Sequence, residues 1–572
     1  MLIALLLLVA LYYSSRLFIW YQNWKQRQIQ LKEIIRKKRE ARKESIEFAR
    51  KSAAKIDEQK REFIGGLDFI QLRAGLQNGS ISCIEALRTY YYKAIKAHEK
   101  TNALCMFVTD AEKWAIEWDE KAKNPAFVKP PFFGIPFSLK ENCPLKGYDQ
   151  TRGFVQDCFH PTKKDGVMVN IIKMNGGVPF CQTNIPQSLL SFNCCNPVYG
   201  TTNFVMDKER TCGGSSGGEA ALISADGSLI GIGGDVGGSI RIPCAFCGIV
   251  GFKPSHLRYS HRGVCGSVPG RPLINSNEGP MCKDVTTVVE YHKTIWGTTT
   301  ISKIDPYVPP VLWNEQEFTS TRPLRIGYYI DDGWFTPTPA CQRAVLEAKQ
   351  ILERNGHKLV PFTPPDVANV ICHLLRAICV DSGRYLRNKL LNDVADPHCY
   401  FSMALWFIPV WVQRSVAFVI QWFYPRISQV LTSMTLSTPE LRESYAFIEQ
   451  YREDFTETFV EQNLDVILCP ATVTPAMTHN APGKLAVAAL YTAIFNLLDY
   501  GAGVVPVTKV TEEDDKNLDN YPATDPWYRE AKRDSKGLIG YPIAVQVAAP
   551  PYSEEACFRV LSEIEIGVKS NQ

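Results

Sequence analysis

Residues 211–241 read TCGGSSGGEAALISADGSLIGIGGDVGGSIR. Two serines in this stretch, Ser215 and Ser239, stand 24 positions apart, each directly after a glycine pair. Glycine permits positive φ and close approach of other groups. Such a serine can be held on a tight turn whose backbone N–H groups point outward, and nests of this kind bind anions. A hydroxyl beside a nest serves either phosphate binding or acyl transfer with an oxyanion hole. Between the serines, Ala220-Ala-Leu-Ile reads as helix and Leu229-Ile-Gly-Ile-Gly as a strand feeding the second turn.

Upstream, Ile135-Pro-Phe-Ser-Leu-Lys140 reads as a short apolar strand ending in a lysine. Drawn into a core, that amine loses charge stabilisation and becomes a candidate base. A solvated strand-end lysine is the plainer reading of this stretch alone. Residues 165–180 read as a helix stopped by Gly176-Gly177 and followed by a strand, and this alternation predicts an α/β sheet. Neither a phosphate-loop nor a dinucleotide fingerprint is present, which weakens the phosphate reading. None of the nine histidines sits in a motif-like setting, so nothing singles out a Ser-His-Asp triad.

The set Lys140, Gly213-Gly-Ser-Ser-Gly-Gly-Glu219 and Gly237-Gly-Ser-Ile-Arg-Ile-Pro243 resembles the amidase signature family. The likeness continues through Gly251-Phe-Lys-Pro254, Gly279-Pro-Met281, Leu464-Asp-Val-Ile-Leu-Cys-Pro470, residues 496–506 and Tyr541-Pro-Ile-Ala-Val-Gln546, and covers roughly residues 65–565. Together with the N-terminus it resembles the membrane-bound branch, which cleaves fatty acid amides. The resemblance implies an α/β fold, a mixed twisted sheet covered by helices. It implies Ser239 as nucleophile, Ser215 as proton bridge and Lys140 as base, with a cis peptide before Ser215. It places the oxyanion hole on the N–H groups of Val236, Gly237, Gly238 and Ser239, with Arg241 and Ser216 supporting the loop and Asp235 structural. Leu189, Phe192 and Trp527 become candidate acyl-channel residues. Long-chain fatty acid amides, including N-acylethanolamines and primary amides, become the expected substrates. No cofactor or metal is implied, and a homodimer is.

The N-terminus sets the expected location. Residues 1–21 are almost wholly apolar or aromatic, and a basic run from Lys25 to Lys43 follows them. That order predicts an uncleaved transmembrane anchor over 1–24 with the body on the cytosolic side, in the endoplasmic reticulum or another endomembrane. The alternative is an interfacial helix. Residues 25–63 read as a basic, solvated linker helix, and 64–566 as the amidase domain. Residues 400–424 form a second apolar run, broken by Pro409 and Gln413-Arg414-Ser415. It predicts a helical hairpin cap, about 399–434, dipping into one leaflet rather than a crossing. Lys484–Tyr500 reads as one apolar helix and 507–538 as a polar loop.

Composition constrains what remains. Of 572 residues 45% are hydrophobic, enough for a large core, and a net charge of +4 gives no footprint for nucleic acid. Eighteen scattered cysteines suit a reducing compartment, and Cys244-Ala-Phe-Cys247 has no companion pair at zinc spacing. Alternative functions are an amidase of smaller amides, including a tRNA-linked amidotransferase type, and a silent membrane scaffold that keeps the fold.

Overall fold

The computed structural model describes residues 2–271, 273, 274 and 276–570, without the side chains of 2–10, 399, 401 and 402. Its centre is an eleven-stranded mixed sheet. Across the sheet the order is Leu104–Phe107, Val178–Thr183, Pro136–Lys140, Ile230–Asp235, Asn277–Cys282, Val250–Lys253, Gly501–Lys509, Pro542–Ala549, Val466–Pro470, Arg325–Tyr328 and Lys358–Pro361. Pro136–Lys140 runs parallel to both of its neighbours, whereas Asn277–Cys282 and Val250–Lys253 join the ladder antiparallel. The central strands are buried along their whole length because helices cover both faces. Helices Val167–Met174 and Gly217–Ser224 lie between successive parallel strands in the chain. Lys140 and Asp235 therefore end adjacent parallel strands on the same side of the sheet, where α/β sites form.

The apolar middle segment is a hairpin of helices Val410–Ile420 and Pro425–Leu431, tied by Ser428 Oγ donating to the Ala417 carbonyl at 3.0 Å. At 1.5 Å per residue neither spans the roughly 30 Å of a bilayer core. Val250–Lys253 before the hairpin pairs directly with Gly501–Lys509 after it, so no single crossing separates them. Phe418, Trp422 and Phe423 are 74%, 81% and 77% exposed, an apolar rim left uncovered by the described residues.

Three sequence expectations change. The N-terminal helix is one element, Leu2–Ala53, and its second half is docked rather than solvated. Leu31, Ser45 and Ala49 are buried, Lys38 pairs with Asp149 at 2.6 Å in the interior, and Arg39 donates to the Val198 carbonyl. A dense charge pattern hid this face, which packs on helix Cys83–Thr101 and strand Leu104–Phe107 and also takes polar partners such as Asp149 and the Val198 carbonyl. Lys484–Tyr500 is not one helix but a short turn of helix, a 3₁₀ turn and Leu490–Leu497. The polar stretch 507–538 is largely ordered. Helix Pro526–Ser535 starts there on an Asp525 N-cap with proline in its first turn, a start signal overlooked in the polar background.

Among the described residues no helix is long and apolar enough to cross a membrane. The expected anchor over 1–24 begins on residues 1–10, whose side chains lie outside the described residues.

Candidate active site

Lys140 is wholly buried at its strand end. Its Nζ donates to Ser215 Oγ at 2.8 Å and to the Gly234 carbonyl at 2.9 Å. Burial pushes its pKa down to about 8, against the opposing pull of Cys143 and Asp235. The Gly214–Ser215 peptide is cis, as the resemblance implies. Ser216 clamps the two turns together: its N–H donates to the Ser239 carbonyl at 3.0 Å, and its hydroxyl accepts from the Gly234 N–H at 3.2 Å. The structure thus places Lys140, Ser215 and Ser239 at one spot. Among the described residues no hydrogen bond joins Ser215 to Ser239 Oγ, so the link between the serines is backbone. No histidine hydrogen bond reaches either serine among the described residues, which removes support for a histidine triad.

The turn before Ser239 is fixed by a buried ion pair. Arg241 and Asp235 are fully enclosed and meet at 2.9 Å and 3.0 Å. Burial opposes ionisation of Asp235, but Arg241 prevails and holds the carboxyl well below the usual range. Arg241 also donates to the Thr492 carbonyl, Gln546 Oε1 and Asn496 Oδ1. Every lone pair and proton of this cluster is engaged, the condition under which a buried pair is tolerated. Asn496 and Gln546 were legible only as parts of longer motifs, not as partners of this loop.

Gly238 departs from the expected anion hole. Its N–H already donates to Asp235 Oδ1 at 2.7 Å. It sits at φ +120°, and a Cβ there would overlap Thr492 Oγ1, so glycine is required for shape. The N–H groups of Val236, Gly237 and Ser239 carry no hydrogen bond among the described residues and remain as the donor set. Helix Leu490–Leu497 backs this turn, Thr492 Oγ1 donating to the Gly237 carbonyl at 2.7 Å.

Glu219 entered the sequence reading only as the last residue of the first serine motif, with no role assigned. It lies buried behind the lysine strand, accepts from Ser138 Oγ at 2.6 Å and Thr183 Oγ1 at 2.9 Å, and burial raises its pKa to about 7. Phe192 packs by its backbone on Gly214, and Leu189 is buried in a turn where both Ser188 and Leu189 have positive φ. Of the two, Phe192 borders the cis peptide at Ser215. Trp527 contacts Trp334, Phe335 and Arg426 by its ring, at the base of the hairpin. The described cysteines are free, and all but Cys265 are buried.

The chain was compared with known proteins on this basis. A family model described as Amidase matches residues 85–558. "Fatty acid amide hydrolase 1" of Caenorhabditis elegans is 54% identical over 554 residues, covering 96% of this chain and 97% of the relative. "Fatty-acid amide hydrolase 1" of Sus scrofa is 37% identical over 512 residues, covering 88% and 86%. Among solved structures, one titled "Fatty acid amide hydrolase" superposes with a TM-score of 0.79 at 22% identity, over 94% of this chain and 95% of that one. At that identity the superposition speaks to the fold.

Proposed function

The chain belongs to the amidase signature family and is an amide hydrolase, and from that premise we propose that it cleaves long-chain fatty acid amides to fatty acid and amine through Ser239. One observation carries the mechanism: a buried lysine with a lowered pKa, hydrogen-bonded to a serine that shares a backbone clamp with a second serine. Neutral Lys140 takes the proton of Ser215, Ser215 takes that of Ser239, and Ser239 Oγ attacks the carbonyl. The developing oxyanion turns toward the N–H groups of Val236, Gly237 and Ser239, each worth about 3–4 kcal/mol in such a role. The proton then returns along the same path to the leaving nitrogen, the acyl-enzyme forms, and water completes the cycle.

The lipid character of the substrate is supported by the names of the two relatives and by the exposed hairpin rim of Phe418, Trp422 and Phe423. We propose that residues 1–24 anchor the enzyme in an endomembrane with its body in the cytosol, and that the rim enters one leaflet. Purified protein assayed on amides of increasing acyl length is expected to rise steeply in kcat/KM from short to long chains. Preference for short polar amides would defeat the lipid reading. Deleting residues 1–24 is expected to leave the protein on membranes, and adding Phe418→Ser, Trp422→Ser and Phe423→Ser is expected to release it. Full release by the first deletion alone removes the rim from the model.

A further inference from the structure

One face of the N-terminal helix lines two adjoining clefts. Trp24, Gln28, Lys32, Ile35, Arg39 and Lys43 recur every three or four residues, which puts them within about 100° of arc over about 28 Å of helix. Trp24 and Gln28 line a cleft of about 370 Å³, lined across from them by Leu391, Tyr400, Met403 and Phe407. Lys32, Ile35, Arg39 and Lys43 line a second, of about 500 Å³, together with Pro197. Val394 belongs to both, so the clefts meet there and form one groove. Each volume falls within the roughly 300–1,000 Å³ of small-ligand sites. The groove is a fixed feature of the fold. Val394 packs with Ile34 and Ile35 on the apolar cluster around Leu31. Its carbonyl accepts from Gln187 Nε2 at 2.8 Å, and the neighbouring Asp393 carbonyl accepts from Gln28 Nε2 at 3.2 Å.

The two ends differ in chemistry. The first cleft is apolar apart from Gln28 and Asp393, and the Asp393 carboxylate is already held by the N–H groups of Val155, Gln156 and Val394. The second carries Lys32, Arg36, Arg39 and Lys43 against a single carboxylate, Glu40. Arg36 is engaged by Glu33 and Glu40 at 2.6 Å and 2.5 Å. Arg39 donates to the Pro197 and Val198 carbonyls, which leaves its charge unneutralised. Lys32 and Lys43 form no ion pair among the described residues.

A groove apolar at one end and cationic at the other complements a molecule built as acyl chains under an anionic head. Trp24 stands where the expected anchor ends, and exposed Phe407 leads into the hairpin, so the apolar end faces the leaflet and the cationic end faces water. We propose that this groove holds one anionic phospholipid, its acyl chains along Trp24, Leu391 and Phe407 and its phosphate and headgroup laid along Lys32, Arg39 and Lys43. Three unneutralised cations attract net negative charge, whereas a choline headgroup would bring a further cation among them. The site is separate from that of the substrate, since none of its lining residues belongs to the catalytic set, and it rests on the membrane attachment proposed above.

The test is native mass spectrometry of the full-length protein in detergent, supplied with equimolar phosphatidylglycerol and phosphatidylcholine of the same palmitoyl and oleoyl chains. One phosphatidylglycerol is expected to be retained at least about tenfold over phosphatidylcholine. Lys32→Glu with Lys43→Glu, both at exposed positions, is expected to abolish that preference, and Lys32→Arg with Lys43→Arg to keep it. Arg39 is left in place because it docks the helix. Glycerophosphoglycerol, the same head without chains, is expected not to compete. Equal retention of the two lipids, an unchanged preference in the glutamate variant, a lost preference in the arginine variant, or competition by the chainless head overturns the proposal. Wild type and glutamate variant are both expected to float with vesicles of phosphatidylcholine alone. Failure of the wild type to float overturns the membrane reading itself, and this one with it.

Discussion

Ser239→Ala is expected to lower kcat/KM on a fatty acid amide by at least about 10⁴-fold, with no change in thermal stability beyond a fraction of a degree. Ser239 is half-buried, and among the described residues its hydroxyl makes no hydrogen bond, so removing it leaves the buried Asp235–Arg241 frame intact. The same variant is expected to lose covalent labelling by a fluorophosphonate probe, because the probe captures the activated hydroxyl. Labelling that persists in Ser239→Ala would move the nucleophile elsewhere. Failure of the wild type to label would favour the scaffold alternative. Ser215→Ala separates the two serines: its oxygen accepts from Lys140, so its loss removes the bridge and leaves the attacking group in place.

Lys140→Ala is expected to cost about 10³-fold or more on an amide and at least about tenfold less on the ester of the same acid. An alkoxide departs without prior protonation, whereas an amine needs the proton that the lysine path returns. Equal losses on both substrates would sink the relay. The pH dependence follows from the amine being the base. Only the neutral form accepts a proton, so amide turnover is expected to rise as pH climbs toward about 8 and to level off above it. Lys140→Ala flattens that limb. The stability effect has the opposite beneficiary. The folded pKa, about 8, lies below the ordinary 10.5, so the folded state binds the proton more weakly than the unfolded one. Burying this amine therefore opposes folding in full below about pH 8, and the penalty fades as pH rises toward 10.5. Lys140→Met is accordingly expected to melt no lower than wild type at pH 7, although inactive.

The glycine turns, the strand ending at Lys140 and the helix–strand alternation were legible because each is local: turn chemistry and apolar runs lie in consecutive residues. The frame behind Ser239 was not. Asp235 and Arg241 are six positions apart, but Thr492, Asn496 and Gln546 join them from more than 250 residues away, and no periodicity reports such a meeting. Glu219 was passed over for a related reason. A glutamate at a helix start reads as solvated, and only the neighbouring strands bring Ser138 and Thr183 to it. The expected Gly238 donor failed on a detail below sequence resolution, since an aspartate three residues earlier takes its N–H. The helices in 507–538 were hidden by polarity, although Asp525-Pro526 marks the start of the second.

The unbroken Leu2–Ala53 helix has a mechanical consequence. Because Lys38, Arg39 and Ser45 fix its second half to the body, the first half has no rotational freedom of its own. Each residue advances an α-helix by about 100° and 1.5 Å. One residue inserted between 26 and 30 therefore turns everything before it through more than a quarter circle relative to the body, and a second turns it past half. A whole turn of three or four residues nearly restores the facing and only lengthens the reach. The N-terminus is thus keyed to the catalytic body in angle as well as in distance.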